Sequence, residues 1–79
     1  MSRKIRMIWD FRGPNAKQTA AHHLVHLKEY LKVEEVWFAD TGIEEVSNMH
    51  SFAYVIVGEN DMQKVRKDLK PHRGRLFEE

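Results

Sequence analysis

The nine residues SFAYVIVGE, positions 51–59, are apolar on both sides of an extended chain: Phe52, Tyr54 and Ile56 alternate with Ala53, Val55 and Val57. A strand of this kind is normally covered on both faces. In a chain of 79 residues that demand constrains the fold more than any other feature. There is no cysteine, so neither disulfides nor thiolate metal sites can compensate for a small core. Packing must supply it, and the length allows one domain, residues 1–79.

The rest of the chain divides around that strand. KIRMIWDF (4–11) alternates, with Ile5, Met7, Trp9 and Phe11 on one side, which predicts a first strand. RGPN (12–15) is turn chemistry. Asn15 and Gln18 have the spacing of a capping box, so a helix is expected from Ala16 through AKQTAAHHLVHLKEYLK, with lysines near its C-terminal end. VEEVWFAD (33–40) reads as a second strand and TGIEEVSNMH as a loop. Asn60 and Gln63 repeat the cap spacing and open a second helix with Met62, Val65 and Leu69 on one face. Pro71 stops that helix, and GRLFE (74–78) can form a short fourth strand. The order β-α-β-β-α-β predicts an α+β, ferredoxin-like sandwich, an antiparallel sheet with both helices on one face.

Two helices on one face leave the other bare. Ile8 points away from the helices, Val36 and Phe38 turned inward leave Trp37 outward, and the third strand adds a second apolar side. A patch built on Ile8, Trp37, Tyr54 and Val55 is expected to be covered by a second copy, giving a homodimer. RNA is the other candidate, because RNA-binding sheets of this topology stack bases on central-strand aromatics. SFAYVIVGE has no Lys/Arg-Gly-Phe-like opening, so a second copy is expected ahead of nucleic acid. Net charge is only +1, but it is segregated. Residues 34–45 carry Glu34, Glu35, Asp40, Glu44 and Glu45 without a cation, while 64–75 carry Lys64, Arg66, Lys67, Lys70, Arg73 and Arg75 against Asp68. With strand order 4-1-3-2, Arg3, Lys4, Arg6, Arg73 and Arg75 would form a basic edge, through which nucleic acid is an alternative partner.

The apolar run Ala53–Val57, even with Phe52 before it, falls far short of the roughly 18–20 residues of a membrane span. MSRKIRMIWDF lacks the apolar core and cleavage site of a signal peptide, so a cytoplasmic protein without membrane partners is expected.

Three of the five histidines fall within AAHHLVHL (20–27). On a helix, Ala20, Leu24, Leu27 and Leu31 form the core stripe, and His23 and Tyr30 sit at its margin. His22 and His26 lie one turn apart on a common outer face near Glu29, the spacing by which helical histidines share a metal ion. His22, His26 and Glu29 are therefore the metal-ligand candidates, although the glutamate beside the first histidine of the metalloprotease motif is missing. His23, His26 and Asp10 are the acid–base candidates, Asp10 because it interrupts an apolar strand just before a loop. Arg12 and Gly13, at a turn that leads into a helix N-terminus, could hold an anion, with Tyr30 as a third ligand-binding candidate.

The strand–helix order, the two-faced apolar sheet and HHLVHLKEYL together resemble the small dimeric α+β-barrel proteins, which include YciI-like and antibiotic-monooxygenase-like domains. The YciI-like group carries a His-Leu-x-x-Leu stretch in its first helix, echoed at His23–Leu24 and His26–Leu27. That group pairs its histidine with a downstream Asp-Pro, which this chain lacks. The resemblance implies a dimer with a small pocket and no cofactor. The function expected is binding of a small ligand or protein partner in an accessory or regulatory role. A cofactorless His/Asp enzyme, a transition-metal-binding protein and a nucleic-acid-binding protein are the alternatives.

Overall fold

The alternation in KIRMIWDFR becomes β1 (Lys4–Arg12) in a computed structural model that describes residues 3–77. It is followed by α1 (Ala16–Val33), β2 (Phe38–Ser47), β3 (His50–Gly58), α2 (Glu59–Leu69) and β4 (Arg73–Phe77). The strands lie in the order β2-β3-β1-β4, and each neighbouring pair is antiparallel. This is the expected ferredoxin-like arrangement. Met7 and Trp9 from β1 meet Val55 and Val57 from β3, Leu27 and Leu31 from α1, and Val65 from α2 in one buried cluster. Ile5, Phe11, Leu24, Met62 and Leu69 pack around it. Trp9 also donates its indole N–H to the Leu69 carbonyl at 2.8 Å, so a core side chain caps the C-terminal end of α2.

Both helix starts differ from the capping expected of them. α1 begins at Ala16, but the Asn15 side chain makes no cap bond; its carbonyl instead accepts from the Thr19 amide and hydroxyl, each at 3.0 Å. α2 begins at Glu59, one residue before the expected Asn60 cap, with the extended Gly58 preceding it and Glu59 and Asp61 in its first turn. Two acidic groups there complement the helix dipole without a side-chain cap.

The stretch expected as the second strand, 33–40, is instead a helix end. Val33 is the last residue of α1, and Glu35 takes the left-handed conformation with φ 54°. The Val36 amide then bonds the Leu31 carbonyl at 3.0 Å, and the Glu35 amide bonds that of Lys32 at 3.3 Å. These two bonds make a Schellman motif, and Val36 and Leu31 supply its usual hydrophobic contact in the core. β2 starts only at Phe38 and runs through most of the expected loop, TGIEEVS, to a two-residue turn at Asn48 and Met49. Glycine avoids the steric cost of a positive φ that Glu35 bears. Glu35→Gly is therefore expected to raise unfolding stability by about 0.5–1 kcal/mol, read as a shift of the urea midpoint.

β4 starts at Arg73, one residue early; Glu78, the end of the expected strand, lies outside the described residues. No helix among the described residues is long and apolar enough to cross a membrane.

Candidate functional site on the open sheet face

Because side chains alternate along a strand, Arg6, Ile8 and Asp10 of β1 face away from the helices. Register then decides their neighbours. On β3, Ile56 lies opposite Arg6, Tyr54 opposite Ile8 and Phe52 opposite Asp10. On β4, Arg75 lies opposite Arg6 and Arg73 opposite Ile8. On β2, Asp40 lies opposite Ile56, Gly42 opposite Tyr54 and Glu44 opposite Phe52. Cross-strand partners share a face, so aromatic, cationic and acidic groups are gathered on one surface.

This surface is not the apolar patch that the strand pattern predicts. Ile8 is 3% exposed and Ile56 4%, enclosed among the neighbours just named. Val55, assigned with Tyr54 to the open face, is instead fully buried on the helix side. Adjacent strand residues point to opposite faces, so the two cannot share one. Trp37 remains 57% exposed, beyond the start of β2, with the Lys4 ammonium 6.0 Å from its ring centroid.

What covers the apolar centre is guanidinium. Arg6 places its guanidinium carbon 4.4 Å from the Tyr54 ring centroid and 5.3 Å from that of Phe52. The Arg73 guanidinium carbon lies 5.7 Å from the Phe52 ring centroid. Such cation–π stacks fall within the favourable range of about 6 Å. Each arginine is also anchored: Arg6 donates to Glu44 at 2.8 Å, and Arg73 donates to Asp10 through Nε at 2.8 Å and a terminal nitrogen at 2.9 Å. The Tyr54 hydroxyl donates to Asp40 at 3.1 Å. Burial, this hydrogen bond and the Asp40 charge raise the Tyr54 hydroxyl pKa above its ordinary value, so the ring stays neutral. A hollow of about 410 Å³ opens here, lined by Arg6, Ala39, Asp40, Glu44, Tyr54, Ile56 and Phe77.

Asp10 is the hub at one end of the face. Besides Arg73, it is bonded by His50 Nε2 at 2.8 Å, and its amide donates to His72 Nδ1 at 2.9 Å. Burial pushes its pKa up, but the hydrogen bonds and charges of His50 and Arg73 outweigh that and hold it below the usual carboxylate value. The acid–base grouping expected from sequence is therefore not assembled. Asp10 pairs with His50, whereas His23 lies on the helix side against Trp9 at 5.0 Å and Phe11 at 5.5 Å, its Nε2 buried and unpartnered. Burial, with the nearby charges of His26 and His72, lowers the His23 pKa. His26 faces His22, with Nε2 atoms 3.1 Å apart. Glu29 does not complete that pair: among the described residues no three His, Asp or Glu side chains gather as a metal site.

The anion-binding grouping of Arg12, Gly13 and Tyr30 does not form either. The Gly13 amide is already bonded to the Met49 carbonyl at 2.8 Å. Tyr30 donates its hydroxyl to Asp68 of α2 at 2.6 Å, and its pKa is raised by burial and by that carboxylate. Arg12 is exposed, opposite His50 in register.

His50 and Phe52 are the site residues that sequence reasoning missed, together with Arg6 and Arg73, which it read only as edge cations. The signal for Phe52 was its two-residue spacing from Tyr54; nothing in the sequence paired His50 or Arg73 with Asp10 before the register was known. Compared with known proteins, the chain matches no family model, no curated protein and no solved structure.

Proposed function

We propose that this protein binds single-stranded nucleic acid, RNA foremost, across the open face of its sheet. The observation that carries this reading is the stack of Arg6 on Tyr54 and Phe52, flanked by Arg73, on the central strands. Bases stack on aromatic rings, and arginines serve both phosphates and base faces. A guanidinium is a flat cation lying where a base would lie. An incoming base can take its place on Tyr54 while the freed arginine turns to a phosphate. Phe52 is only 8% exposed, and both guanidinium groups lie against its ring.

The sequence weighs a second copy above RNA on the assumption of an apolar patch, and the burial of Ile8, Ile56 and Val55 removes that assumption. Phe52-Ala53-Tyr54-Val55 also resembles the middle of the RNA-binding strand pattern, with Tyr54 in place of its phenylalanine, although His50 and Ser51 replace its Lys/Arg-Gly opening and Val57 its closing aromatic. The Asp40 and Glu44 carboxylates beside the hollow could accept from base amino groups or a ribose hydroxyl. Arg12 and Arg75, which have no ion-pair partner among the described residues, are available for phosphate contact at once.

The test is fluorescence anisotropy of labelled single-stranded oligonucleotides. Dissociation constants of about 10⁻⁴–10⁻⁶ M are expected at moderate salt. With Arg6, Arg12, Arg73 and Arg75 as phosphate contacts, log K should fall against log salt with a slope of about −3. Tyr54→Ala should weaken binding by about 5–150-fold, the range of one lost base stack, with the fold kept because the ring is partly exposed. Equal affinity of Tyr54→Ala and wild type would refute the reading.

A second reading, a cofactorless acid–base enzyme, draws on the His50–Asp10 bond. The carboxylate orients the ring and leaves Nδ1 free to exchange a proton.

A further inference from the structure

On the outer face of α1, away from both the core and the open sheet face, His22 and His26 turn their rings toward each other. Both residues are exposed. Their Nε2 atoms are 3.1 Å apart, and their ring centroids 4.6 Å at an interplanar angle of 80°. Two nitrogens bound to one transition ion at about 2.0–2.1 Å, with a bond angle between about 90° and 109°, stand roughly 2.9–3.4 Å apart. The separation already present falls within that range.

We propose that His22 and His26 form a two-nitrogen chelate for a divalent ion of the nickel–copper–zinc group. This goes beyond the nucleic-acid reading and is independent of it. Imidazole is the side chain these ions favour, and their affinities at a nitrogen site follow the order Ni²⁺ < Cu²⁺ > Zn²⁺. In the free pair, one ring donates its Nε2–H to the lone pair of the other. Chelation needs both rings in the Nδ1–H tautomer, so one ring shifts its proton from Nε2 to Nδ1 and no net proton is lost from the neutral pair. The α1 backbone holds the ligands one turn apart, and each ring turns about its side-chain torsions until both lone pairs meet the ion. Water fills the other coordination positions, since no third His, Asp or Glu among the described residues completes the set.

The experiment titrates CuCl₂, NiCl₂ or ZnCl₂ into the full chain and follows the imidazole signals by NMR for Zn²⁺ and binding calorimetry for all three. One ion per chain is expected, bound most tightly for Cu²⁺. His22→Ala and His26→Ala should each weaken binding about tenfold or more. Both positions are exposed on a helix and alanine favours helix, so these variants should fold at least as well as wild type. His50→Ala, which removes a histidine remote from the pair, should bind as wild type. Loss of binding in His50→Ala with unchanged binding in the His22 and His26 variants would overturn the assignment, as would no saturable uptake of any of the three ions.

Discussion

Asp10→Ala is expected to lower unfolding stability by about 2–4 kcal/mol. The Asp10 side chain is 15% exposed and accepts three hydrogen bonds, two from Arg73 of β4 and one from His50 of β3. Removing it leaves two cationic or polar groups without their partner, and the unpaired charge rather than the lost contact dominates the cost. Arg73 can recover water because its side chain is more exposed, at 38%, which keeps the effect below that of a fully buried pair. Asp10→Asn keeps the shape and part of the bonding, so it should cost less than alanine. Urea denaturation distinguishes these outcomes; a loss under about 0.5 kcal/mol for alanine would mean that Asp10 is not the hub.

The same residue predicts how stability depends on acid. The Asp10 pKa is depressed on folding, so its contribution is present above its ordinary value of 3.8 and lost as pH falls through the lower folded value. The His23 pKa is also depressed, so its neutral form favours the fold above about 6.5, and that contribution declines as the pH falls toward its folded value. Wild type should therefore lose stability in two stages on acidification. Asp10→Ala should lack the lower one.

Trp9→Ala should cost more still, about 3–5 kcal/mol. The ring fills the centre of the core cluster, stacks against His23 and satisfies the Leu69 carbonyl at the end of α2. Truncation opens a cavity, frees a carbonyl and loosens the hold of β1 on α2 together. A small domain has about 5–15 kcal/mol to lose, so this variant should unfold at markedly lower urea and temperature. Trp9→Phe separates the two parts of the effect. It keeps most of the volume and removes only the indole donor, for an expected cost of about 1–2 kcal/mol. Equal losses for the two variants would show that the bond, not the packing, carries the effect.

The architecture was legible because period-two and period-3.6 patterns are strong in β1, β3 and α1, where one face is committed to the core. The boundary at 33–40 was not, because a glutamate at the left-handed position of a Schellman motif leaves no glycine to mark the helix end. The capping boxes failed for a related reason: a spacing of three residues is necessary for that bond but does not oblige the side chain to make it. Of the site, Asp10 and Tyr54 were singled out from sequence, but under other roles. Their partners are 40 to 63 residues away from Asp10 and 14 to 48 from Tyr54, fixed by sheet register. A single unaligned sequence holds no direct record of such pairings. The charged cover of the open face was hidden for the same reason, since Arg6 and Arg73 read as edge cations until register sets them over Tyr54 and Phe52.

Chemical-shift mapping by NMR tests the proposed nucleic-acid reading of the open sheet face most directly. On addition of a single-stranded RNA oligonucleotide, the largest shifts should fall on Arg6, Phe52, Tyr54 and Arg73, including the arginine Nε–H and aromatic signals. Shifts confined to Arg66, Lys67 and Lys70 of α2 and its end, or no shifts at all, would contradict it.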